Sequence, residues 1–193
     1  MFITLIEILD IIIMTLVVGF VFMDMFKPTK NTKDILDKYM RKTKSFDWHA
    51  FWFAAMVTAP AIILHELGHK VAALSFGLSA VFNAAYFWLA IAILLKLAGS
   101  SFIFFVPAYV SISGNATPAQ QAITAFAGPA VNLIIFIIAL IILKTSKNLK
   151  MMSIQFWQLT KSISLFLFIF NMIPVPGFDG FTVFKNLWIL VGL

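Results

Sequence analysis

Residues 51–78 form an apolar run long enough to cross a bilayer, and His65-Glu66-Leu67-Gly68-His69 stands in its C-terminal half. An isolated carboxylate at mid-bilayer costs roughly 2.5–3.5 kcal/mol on insertion scales, so Glu66 in that setting calls for a function and a partner. On a helix, positions i and i+4 stack on one face, which points His65 and His69 at a common centre. Two imidazoles so placed can hold one metal ion. Glu66, turned by about 100° from His65, reaches a water activated by the ion rather than the ion itself. That is the mechanical content of an H-E-x-x-H pattern.

What the chain lacks narrows the third ligand. Its eight acidic residues are Glu7, Asp10, Asp24, Asp34, Asp37, Asp47, Glu66 and Asp179, so only two follow Asp47. Cysteine is absent, which excludes the thiolates that usually close structural zinc sites. His49, beside Trp48 and Trp52 at the edge of the apolar run, reads as interfacial. Elimination therefore favours Asp179. Three nitrogen and oxygen ligands with one open position is a catalytic pattern.

Composition places these residues in a membrane. Hydrophobic residues make up 62% of the 193 and charged ones 11%, with mean hydropathy +0.99, against about 45–50% and ~25% in soluble domains. The expectation is a multi-pass integral protein of the cell membrane, with no room for a separate soluble domain of normal size. The net charge of +6 does not suggest nucleic acid, because the basic residues flank apolar runs as interface anchors. The first run lacks a positive n-region and a cleavage site, and reads as a retained helix, not a signal peptide.

Along the chain, residues 2–23 form a first span whose Glu7 and Asp10 share a face and read as an interfacial polar stripe. Residues 24–50 hold seven of the fourteen basic residues, with a short amphipathic surface helix expected over 32–41. The second span, 51–78, carries the motif, and Lys70 is expected to snorkel to the interface. A third apolar run covers 82–98. Residues 100–113, rich in β-branched and aromatic side chains around Pro107, read as extended or re-entrant chain. Further spans cover 119–143 and 153–173, and the latter stops at Pro174, Pro176 and Gly177. Residues 181–193 are too short for an ordinary span. The fold class expected is an all-α polytopic bundle of about five to six spans, with an embedded extended segment near 100–113. Its organisation is an N-terminal span plus basic loop, 1–50, and a catalytic membrane core, 51–193.

If His65, His69 and Asp179 share one metal, the spans that carry them run parallel, which requires an odd number of crossings between them. Only two helical runs intervene, so either 100–113 supplies a third crossing or 82–113 is a re-entrant hairpin. Backbone cannot face lipid unpaired. The segment is expected to pack inside protein beside the site, where an extended strand can pair with an unwound substrate.

Three ordered motifs, the His65–His69 motif, Gly128-Pro129-Ala130-Val131-Asn132 and Asn171-x-x-Pro174-x-Pro176-x-x-Asp179-Gly180, resemble the site-2 protease family of intramembrane zinc metalloproteases. The likeness covers roughly 50–185 and is to small, minimal members without a PDZ or nucleotide-sensing domain. It implies one Zn²⁺ held by His65, His69 and Asp179, with Glu66 as catalytic base, and regulated cleavage of a transmembrane-helix substrate. It also implies that Asn132, Asn171, Pro174 and Gly180 contact substrate or support the site, and that residues 105–110 stand where relatives carry an embedded strand. The site would then face the cytosol, whereas the basic segments 24–50 and 144–150 would make the opposite side cytosolic by the positive-inside rule. The family orientation is the one adopted. Two other readings use the same residues: a zinc transporter, which would need ligands spread along a path, and a relative that binds membrane helices without cutting them.

Overall fold

The computed structural model describes residues 2–26, 46–100 and 106–192. The helix expected over 32–41 and the first part of the 100–113 segment lie outside them. In chain order the elements are α1 (Leu5–Phe22), α2 (Trp48–Ser75), β1 (Ser79–Ala84), α3 (Tyr86–Leu97), β2 (Ala108–Ser113), α4 (Pro118–Thr145), α5 (Met151–Asn171) and α6 (Asp179–Val191).

Helix ends follow local chemistry. Thr4 and Glu7 form a capping box at the start of α1, and Thr117 and Gln120 form another at α4, where Pro118 takes the first helical position. The Asp47 carboxylate accepts from the Ala50 N–H at 3.0 Å and opens α2. Among the described residues, α1, α2 and α4 are long and apolar enough to cross a membrane. α5 has the length, but Gln155, Gln158, Lys161 and Ser164 dilute its hydropathy.

The outer surface is apolar: Leu5, Ile6, Phe87 and Leu97 are each at least 70% exposed. Several polar groups are inside, among them Glu7, Asp10, His65, Lys70 and Asn132. This inversion of the soluble pattern is what a lipid solvent requires, and the all-α membrane bundle expected from sequence is what is found. In lipid the helices gain little from hydrophobic burial, so close contact carries more of the association. α1 and α2 touch backbone to backbone. A Cβ on Gly19 would lie 2.9 Å from the Ala55 Cβ.

α1 runs antiparallel to α2, with Gly19 against Ala55 at one end and Glu7 against Lys70 at the other. α4 is also antiparallel to α2, since Thr124 meets His69 and Asn132 meets His65. α5 runs parallel to α2, placing Phe156 against Phe53 and Leu167 against the cluster that contains Ile62. The parallel arrangement comes about because β1 runs out and β2 runs back to end beside the start of β1. β1 pairs antiparallel with β2, from Ser79↔Ser113 to Ala84↔Ala108, and α3 lies between them in sequence. The expected extended segment is thus present over 108–113.

Three expectations need correction. The run read as helical over 82–98 is divided, because Ala80, Phe82 and Ala84 are buried on one side of a strand and the helix starts only at Tyr86. Glu7 and Asp10 are not an interfacial stripe and Lys70 does not snorkel. Glu7 and Lys70 are 1% and 2% exposed and form an ion pair. Asp10, also buried, accepts from the Ala84 N–H at 3.2 Å and from the Tyr86 hydroxyl. The reason is the hairpin itself, whose N–H groups need acceptors inside the bundle.

Candidate metal centre

α2 supplies two imidazoles one turn apart, and the turn after α5 brings a carboxylate to them. His65 Nε2 and His69 Nε2 lie 3.1 Å apart, and the Asp179 Oδ2 is 3.2 Å from the first and 3.3 Å from the second. Both histidines are buried, and Asp179 is partly so. Among the described residues this is the one group of three such side chains able to share an ion. His49, about 24 Å along α2 from His65 at 1.5 Å per residue, stands exposed at the helix start.

The triangle can be tested against an ion. Four ligands at about 2.0–2.1 Å in a tetrahedron, the arrangement Zn²⁺ takes, are separated by ~3.3 Å. The three observed edges agree with that within a few tenths of an ångström. The ring nitrogens remote from the triangle point the same way. His69 Nδ1 lies 2.8 Å from the Thr124 carbonyl, to which only an N–H can bond, so its Nε2 lone pair faces the triangle. His65 Nδ1 lies 2.9 Å from the Asn132 amide, whose Oδ1 is buried without a partner among the described residues. A half-turn of that amide costs no space and lets Oδ1 accept the Nδ1 proton, leaving the His65 Nε2 lone pair free for a metal. The donor set fits a tetrahedral divalent ion.

Glu66, next along α2 from His65, makes no hydrogen bond or ion pair among the described residues. It stays outside the triangle but within electrostatic reach of His69 and Asp179. Three glycines make the assembly possible. A Cβ on Gly68 would lie 2.8 Å from the Ala127 carbonyl oxygen, so this glycine sets how closely α4 approaches α2. One on Gly128 would lie 2.3 Å from His69 Nε2, and one on Gly180 would lie 2.4 Å from the Met172 backbone. Gly180 thereby lets the chain fold back from α5 and swing Asp179 inward.

The other expected positions divide. Asn132 is at the site, and Gly180 is beside it through Asp179. Asn171 donates to the Leu167 carbonyl of its own helix at 3.0 Å, and Pro174 sits exposed in the turn that ends α5. Sequence reading missed the Thr124 carbonyl, which a backbone group gives no means of finding. Gly128, which entered there only as part of the Gly128–Asn132 motif, stands directly against the His69 ring.

Comparison with known proteins agrees with this architecture. The model of peptidase family M50 matches residues 52–153 and 142–192. The chain is 34% identical over 157 residues to "Putative zinc metalloprotease MJ0611" of Methanocaldococcus jannaschii, covering 77% of this chain and 79% of that one. It is 30% identical over 146 residues to "Putative zinc metalloprotease sll0528" of Synechocystis, covering 73% of this chain and 34% of that longer one. No solved structure matches. The chain belongs to peptidase family M50, the site-2 protease family its motifs resemble.

Proposed function

We propose that this chain is a multi-pass intramembrane zinc metalloendopeptidase that hydrolyses a peptide bond within or near a transmembrane helix of another membrane protein. The observation that carries the reading is the 3.1–3.3 Å donor triangle inside an apolar bundle, with Glu66 beside it and outside it. Zn²⁺ on His65, His69 and Asp179 would supply Lewis acidity toward the scissile carbonyl and make a nearby water more acidic. Glu66 takes the proton from the attacking water as the C–O bond forms, then delivers it to the amine as the C–N bond breaks. Thr124 and Asn132 hold the two imidazoles in the tautomer that the ion needs.

A helical peptide bond is shielded by its own hydrogen bonds, so the substrate must unwind before it is cut. Extended backbone needs a partner in lipid, and β2 offers one. The N–H groups of Phe82 and Ala84 bond to α1 carboxylates, so the β1–β2 ladder bonds run through the Val81–Ser111 and Asn83–Tyr109 pairs. Ala108, Val110 and Ile112 then turn their backbone groups outward, and no backbone group of the described residues bonds to them there.

Metal content per chain tests the core of the reading without knowledge of the substrate. About one zinc is expected in the parent and in Glu66→Gln, with strong loss in His65→Ala and Asp179→Asn. Zinc lost only with Glu66, or none under metal-replete conditions, would leave a transport or helix-binding role instead.

A further inference from the structure

The carboxylates of α1 lie on the same face one turn apart and meet β1 at alternate residues. Glu7 Oε1 accepts from the Phe82 N–H at 2.7 Å and pairs with the Lys70 ammonium, while its Oε2 accepts from the Thr4 N–H at 2.7 Å. Asp10 accepts from the Ala84 N–H and the Tyr86 hydroxyl. Three residues of helix rise about 4.5 Å and two of strand about 6.6 Å, and the extra methylene of glutamate takes up part of the difference. Every N–H that β1 would otherwise leave open at these positions is thus capped. The cap is tied to Lys70, the residue directly after His69.

We infer that Glu7 and Asp10 are positioning residues for the proteolysis proposed above: they close the β1 edge of the hairpin and fix its depth against the metal-bearing helix. Only the β2 edge then remains for substrate. The inference rests on the reading of β2 as the pairing edge. A hairpin open at both outer edges could take substrate on either, at two distances from the metal, whereas the clasp leaves one. A charged pair in a span is costly to keep for packing alone, and here each charge also has a hydrogen-bonding or locating task.

Two double variants separate positioning from plain support, since both remove the buried charges together. Glu7→Gln/Lys70→Met keeps a carbonyl acceptor for the Phe82 N–H, and Glu7→Leu/Lys70→Met does not. Each is compared with the parent for metal per chain, for hydrogen exchange at the Phe82 and Ala84 amides, and for cleavage in detergent of reduced, carboxymethylated lactalbumin. This probe is already extended and needs no unwinding. The Gln/Met variant is expected to match the parent. The Leu/Met variant should hold its metal, exchange the Phe82 amide at least about tenfold faster, and raise KM at least about tenfold with kcat within about threefold. Unchanged exchange and KM in Leu/Met would overturn the inference, as would loss of its metal, which would make Glu7 a support of the whole fold. If the parent holds metal but never cleaves, the proteolytic reading fails, while the exchange data still decide whether the clasp sets the hairpin.

Discussion

Gly128 shows how little room the site leaves. Its missing Cβ is what keeps the His69 Nε2 free, because any side chain would stand 2.3 Å from that atom, well inside contact distance. Alanine is a better helix former than glycine by about 1 kcal/mol, so on propensity alone Gly128→Ala should stabilise α4. The prediction is the reverse for the metal: Gly128→Ala retains its helicity but holds well under half the parent's zinc, measured by metal analysis of the purified variant. Equal zinc in both would mean that α4 shifts to accommodate the methyl and that the packing here is looser than the contact implies.

At the scale of elements, the hairpin is the part whose action is least visible in a list of ligands. Proline is tolerated in a strand where its N–H would have pointed away from the ladder. Val110 is such a position on β2. Val110→Pro is therefore expected to keep β1–β2 pairing and metal content, and to raise KM for the extended lactalbumin probe at least about tenfold, because the outward donor is gone. Unchanged KM would remove β2 as the pairing edge. The helices and the three clustered donors were legible in the chain for local reasons: His65 and His69 share one turn, Asp179 stands out by want of another late acid, and prolines mark the end of α5. β1 was not. Ser79-Ala80-Val81-Phe82-Asn83-Ala84 alternates only weakly and merges into the apolar run after it. Its acceptors, Glu7 and Asp10, lie more than seventy residues earlier, where a single sequence offers no sign of the pairing.

For the whole molecule, the chemistry of its two ends bears on which way it sits in the membrane. The structure separates the two ends clearly: the metal centre is near Lys70, Ser79 and Asp179, and the basic turn between α4 and α5 is at the other end of the bundle. Because the chain has no cysteine, a single Lys147→Cys change gives a clean probe. Labelling in intact cells by a membrane-impermeant maleimide is expected if the site faces the cytosol, as in the orientation adopted here. Protection would show that the lysines follow the positive-inside rule and that the substrate is cut on the outer side.

The clasp between α1 and the hairpin also sets an order of events during synthesis. Glu7 and Asp10 leave the ribosome long before Lys70, Phe82, Ala84 and Tyr86, and at 5–20 residues per second the wait is roughly 4–15 s. During it α1 carries two carboxylates, Glu7 in its first turn and Asp10 one turn further in, without their final partners. The first helix therefore gains the partners of its two buried carboxylates only once the chain beyond the metal motif has been made.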